Sequence, residues 1–193
     1  MLHHPSISAT DVQSQITEIK QESSLNASVH AILIALTVLI SLCITFFAQR
    51  QSLSRITILF GITLYWLGTF SMIIAALVSG IVSPQLTEIL EFNGTAQQDV
   101  FAGLRHFNWL LNQAFADFAT VCWCIAACFL AFGGSSTSRF KKVFVVISTV
   151  TFIFIAISLL SGVLTLTVTG MTWVLLALTL WQLGIAWLIV KSD

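Results

Sequence analysis

The sequence predicts an all-α integral membrane protein: a five-helix bundle with its N-terminus outside, its C-terminus cytoplasmic and short amphipathic helices on the outer face. Three observations carry this. Of 193 residues, 57% are hydrophobic and only 8% charged, against roughly 25% charged in an average soluble domain. Five apolar stretches are each long enough to cross about 30 Å of hydrocarbon at about 1.5 Å per residue. The Lys and Arg residues are distributed unevenly over the breaks between those stretches. A soluble globular domain, a disordered chain and a disulfide scaffold are excluded. A formal net charge of zero also argues against nucleic acid as a partner, because no field attracts phosphates.

In chain order the expected spans are Ala31 to Ala48, Ile56 to Val82, Phe107 to Phe132, Val143 to Leu164 and Met171 to Val190. Polar breaks separate them at Gln49 to Arg55, Ser83 to His106 and Gly133 to Lys142, with a hinge near Thr165 to Gly170. The third span carries Asn108, Asn112, Gln113 and Asp117. A charge at mid-helix costs roughly 2.5–3.5 kcal/mol, which the apolar run Phe118 to Phe132 outweighs. Arg50, Arg55, Arg139, Lys141, Lys142 and Lys191 all fall on one side of such a bundle, and the positive-inside rule makes that side cytoplasmic. A plasma membrane or a bacterial inner membrane is the expected location.

Residues 1–26 read as a polar tail with no charged-then-apolar leader. Residues 27–193 read as the five-span domain, with an outer loop at 83–106. In the tail, Thr10 and Gln13 have capping-box spacing, and Val12, Ile16 and Ile19 recur at helical intervals. An amphipathic helix lying on the outer surface or against the bundle follows. Ser83-Pro84 starts a second short helix, Asn93-Gly94 makes a turn, and Thr95 with Gln98 repeats the capping spacing ahead of the third span. An odd helix count argues against the inverted repeats common among secondary transporters.

Asp117 is the most informative position. It lies about 15 Å below the outer boundary by helical rise, and an acid at that depth is by default a functional candidate. Ser41, Ser71, Thr151 and Gln182 sit near the same level on the other helices. An ion, proton or ligand site is expected from Asp117, Gln113, Asn112, Gln182, Tyr65 and Trp66; a neutral Asp117 tying helices together is the bland alternative. Tyr65-Trp66 and Trp181-Gln182 flank that level and suit a small apolar ligand with one polar anchor. His30, His106, Arg105 and Asn108 form a second candidate set at the outer ends of their helices. Two histidines at one depth are candidate haem or metal ligands. Cys43, Cys122, Cys124 and Cys128 lie inside spans and read as small hydrophobes.

Ala76 with Gly80, Ser158 with Gly162, and Gly61 with Gly68 mark close helix approach. Asn26-Ala27-Ser28 and Asn93-Gly94-Thr95 match the glycosylation acceptor pattern. No phosphate loop, His-Glu-x-x-His or nucleophile elbow is present in the sequence. Three functions fit these residues. One is a non-enzymatic oligomeric or accessory subunit, partnered by the bilayer and by a copy or another membrane subunit. The second is a proton- or cation-coupled transporter or channel using Asp117. The third is a haem- or quinone-linked redox protein using His30 and His106.

Overall fold

The computed structural model describes residues 12–50, 56–89, 95–132 and 139–190. All of them are helical except the connection at 161–167. In order they form α1 (Val12–Arg50), α2 (Ile56–Leu77), a π-helical turn (Val78–Val82), α3 (Ser83–Ile89), α4 (Thr95–Phe132), α5 (Arg139–Leu160) and α6 (Val168–Val190). Five stretches are long and apolar enough to span a bilayer: Ile19–Gln49, Ile56–Thr87, Asp99–Ala131, Lys142–Leu160 and Thr169–Trp187. The protein is thus a multi-pass membrane protein. His3, His4, Thr10, the Asn93-Gly94 turn and the breaks at 51–55 and 133–138 lie outside the described residues.

Continuity is the main departure from the expected spans. The amphipathic segment of the tail is helical but runs into the first span, giving one helix of 39 residues. The segment after Thr95 likewise runs into the third span as one helix of 38. The physical reason is in the sequence. No Pro or Gly interrupts Val12–Arg50, and only Gly103 interrupts Thr95–Phe132, so polarity changes along each helix without a breaker to stop it. Ile19, on the polar end of α1, is buried, which places that end against the protein.

The hinge begins earlier than expected. Helix α5 stops at Leu160, and Gly162 adopts φ +73°. The N–H of Gly162 then bonds the Leu159 carbonyl at 3.0 Å, and that of Leu164 bonds the Ser158 carbonyl at 2.9 Å. A left-handed residue of this kind closes the last carbonyls of a helix, and glycine adopts it without a Cβ penalty. Gly162 is therefore a helix terminator. Among the described residues a Cβ there would meet nothing within 4 Å, so the expected packing role with Ser158 is corrected.

The chain forms two compact units. One gathers described residues from Met1–Leu39 and Ser71–Ala116, the other from Ile40–Phe70 and Asp117–Asp193. In the first, Phe101, Thr87 and Ile19 are buried, and the Ser71 hydroxyl donates to the Phe115 carbonyl at 2.8 Å. In the second, Gly61 and Gly68 bring α2 against α4. A Cβ on Gly61 would lie 2.9 Å from Leu130, and one on Gly68 would lie 2.8 Å from both the Ala119 carbonyl oxygen and Trp123 Cδ1. On α6, Gly184 makes room for the Phe144 ring of α5, and Trp181 meets Phe152 edge-on at 5.8 Å.

These contacts separate two glycine substitutions. Gly68→Ala forces a Cβ onto a backbone oxygen that cannot rotate away, and should cost about 1–3 kcal/mol. Gly103→Ala meets nothing within 4 Å among the described residues and should instead be neutral or stabilising by up to about 1 kcal/mol. Thermal denaturation of the two variants in detergent measures the difference.

Candidate functional site

Two polar clusters stand out, one in each unit. The first grows from Pro84. Proline has no N–H, and inside a helix its ring collides with the carbonyl four residues earlier, here that of Gly80. The chain answers with the π turn at Val78–Val82, in which the Ser83 N–H reaches back five residues to the Val78 carbonyl. In that widened register the next donor would be residue 84, which is proline, so the Ser79 carbonyl loses its partner. Asn26 on α1 replaces it, donating through Nδ2 to the Ser79 oxygen at 3.1 Å. Asn108 on α4 braces the same turn, donating through Nδ2 to the Val78 carbonyl at 3.3 Å and to the Ser83 hydroxyl. Wide turns and neighbouring side chains are the general way in which membrane helices tolerate proline.

His30 belongs to this cluster. One turn beyond Asn26, its Nδ1 lies 2.8 Å from the Asn26 carbonyl; a carbonyl only accepts, so Nδ1 carries the proton. Its Cβ presses on Gly80, where an added Cβ would stand 2.5 Å away. His106 is exposed and stacks on Trp109, with ring centroids 5.9 Å apart. Arg105 is half-buried and has a partner. Asn108, expected among the outer ligands, is thus spent on the backbone of the π turn. So is the Asn26 amide nitrogen, the atom that a glycan would occupy.

The second cluster ties α1, α2, α4 and α6. Gln182 Nε2 donates to the Tyr65 hydroxyl at 3.2 Å. Trp123 Nε1 donates to the Tyr65 carbonyl at 3.2 Å, and the Thr69 hydroxyl donates to that carbonyl at 2.9 Å. Ser41 Oγ meets Thr69 Oγ1 at 2.7 Å. Trp66 Nε1 donates to Thr45 Oγ1 at 2.9 Å, and Thr45 passes its own proton to the Ser41 carbonyl at 2.8 Å. Tyr65, Thr69, Ser41 and Trp123 are buried.

Asp117 stands outside this network. It lies on α4 six residues before Trp123, about 9 Å along the axis, so it is not at the level of the Tyr65–Gln182 pair. Its residue is half-buried, yet its Oδ1 is buried with no hydrogen-bond partner among the described residues. Thr149 Oγ1 and Trp181 Nε1 share that condition. Asn112 and Gln113 are half-buried and fall in the other compact unit. The expected six-residue site thus resolves into one bonded pair (Tyr65 with Gln182), Trp66 bonded to Thr45, and Asp117 apart.

Sequence reasoning missed Asn26 and the bridging role of Trp123. Pro84 inside an apolar run signals an orphaned carbonyl and hence a donor from a neighbouring helix. Gly68, one heptad beyond Gly61, signals the room that the Trp123 indole fills. Among the described residues, no group of three or more His, Cys, Asp or Glu side chains is placed to hold a metal ion. Compared with known proteins, the chain matches no family model, no curated protein and no solved structure.

Asn26→Ala should cost about 1–3 kcal/mol, the penalty for a part-buried carbonyl within a span left without a donor. Pro84→Ala restores an N–H and should reduce that penalty, giving a coupling of about 0.5–1.5 kcal/mol between the two sites. A double-mutant cycle on detergent unfolding measures it.

Proposed function

We propose that this chain is a non-enzymatic accessory or self-associating subunit of a membrane assembly, oriented with its N-terminus outside and its C-terminus cytoplasmic. The observation that carries the reading is how the interior polar groups are used. Tyr65, Gln182, Thr69, Ser41, Thr45, Trp66 and Trp123 are engaged with one another or with backbone carbonyls. Polar groups so engaged hold helices together; a reactive constellation instead presents a nucleophile, an acid or a base to a substrate. Six of eight cations lie in the breaks and C-terminus assigned to the cytoplasmic side, which supports the orientation.

A second reading, proton or cation handling, is favoured by the unpartnered Oδ1 of Asp117. A buried acceptor without a donor has a vacancy that a proton or cation fills.

Native mass measurement in detergent should find an oligomer of this chain or a stoichiometric partner from its own membrane. A protein that stays strictly monomeric and partner-free overturns the leading reading. In liposomes, Asp117→Asn should leave proton and cation flux unchanged under that reading. Loss of a measurable flux in the variant would establish ion handling instead. An impermeant thiol reagent should reach a cysteine placed at the N-terminus only from outside.

A further inference from the structure

We infer that the flank of α4 carrying Asp117 is an interface for a membrane-spanning helix of another protein that bears an Arg or Lys near mid-bilayer. The inference rests on the accessory-subunit reading and names the chemistry of its partner. On α4, Ala119, Thr120, Trp123, Cys124, Ala127 and Leu130 are buried, and they cover one wide arc of the helix. Phe118 and Ile125, one heptad apart, form the opposite stripe, 49% and 39% exposed. Asp117, Val121 and Cys128 are half-buried and, at spacings of four and seven, line the border between arc and stripe. Asp117 is therefore at a margin that an approaching helix can reach, with its Oδ1 shielded from lipid.

Depth and charge select the occupant. Asp117 lies eighteen residues after Asp99 and fourteen before Ala131, the ends of its span, so it is near the middle. The cations of the chain are Lys20, Arg50, Arg55, Arg105, Arg139, Lys141, Lys142 and Lys191. The nearest on α4 is Arg105, about 18 Å along the axis. A second copy shares the topology, and Lys20, Arg105 and Lys142 lie toward the ends of their spans, so none of these three stands opposite Asp117. An unpaired intramembrane carboxyl is costly, and such groups pair with an opposite charge or line a pathway. A foreign helix with a central cation meets both requirements: it satisfies the acid and packs its apolar flank on Phe118 and Ile125.

The test uses the full-length protein in neutral phosphatidylcholine liposomes with acceptor-labelled peptides, each a leucine helix of spanning length. One carries Arg at its centre, one Leu and one Glu. Energy transfer should show the Arg helix associating at least about tenfold more tightly than the Leu helix, with the Glu helix no better than Leu. Asp117→Asn, close to isosteric, should erase the preference for Arg. Ile125→Trp adds bulk on the exposed stripe and should weaken binding of the Arg helix while the melting temperature of the protein alone holds. Equal binding of all three peptides, or a preference that survives in Asp117→Asn, overturns the inference. If the Arg helix fails to bind while native mass still finds an assembly, the partner chemistry is wrong and the subunit reading stands. A monomeric protein that binds no peptide removes both.

Discussion

Hydrocarbon offers no hydrogen bonds, and this single constraint organises most of what the structure shows. Every backbone polar group within the spans needs a partner inside the protein. Pro84 removes one donor from the chain and blocks the ordinary helical register. The consequences propagate outward: a π turn before it, an orphaned carbonyl at Ser79, an asparagine from α1 to satisfy that carbonyl and a second from α4 to brace the turn. Four helical elements are thereby held in register by one imino acid. The same logic governs the other unit, where the Tyr65 carbonyl, already within a helix, accepts two further donors from Thr69 and Trp123.

Shape comes second, and glycine sets it. Lipid tails are as apolar as leucine, so burial against another helix gains little from water exclusion in a bilayer, and close contact between helices becomes decisive. Gly68 allows the Trp123 indole to approach α2 closely enough for its N–H to reach the backbone. Gly80 seats His30, and that contact accompanies the nearby bond from Asn26 to Ser79. Gly184 seats Phe144. In each case a missing side chain on one helix admits a large one from the next, and around Gly68 and Gly80 a hydrogen bond forms beside the gap. Small residues and polar residues therefore act as one device here.

The spans were legible because their signal is summed over about twenty residues, which single polar positions cannot cancel. Helix ends were less so. The polar run before Ala31 reads as a separate element, since composition changes there, yet helical geometry does not change without a breaker. At the other extreme, Gly162 reads as a packing residue by its spacing from Ser158, although its φ makes it a terminator. Depth puts Tyr65 and Gln182 near one level as members of a ligand site around Asp117, and the two bond each other instead. Depth says nothing about azimuth. That is why Asn108, read as a ligand, proves to be a backbone clamp. Depth itself is only as good as the span ends it is counted from, and α4 runs on past the expected end at Phe107, so Asp117 lies about 9 Å along the axis from the level at which it is expected.

Azimuth is also what gives Asp117 its meaning. An acid at the centre of a bundle would be surrounded by its own chain's donors, and its cost would be met locally, as happens for Gln182. An acid on the exposed stripe would face lipid directly, at a penalty no nearby group offsets. The border position avoids both. One oxygen is covered, part of the residue stays open, and the polar network about 9 Å along the axis engages other side chains, without Asp117. A chain that satisfies a carbonyl orphaned by proline through an asparagine on another helix does not lack donors to recruit. Among the described residues no donor reaches the Oδ1 of Asp117, and its border position leaves room for an incoming helix to bring one, which is the physical content of the proposed interface.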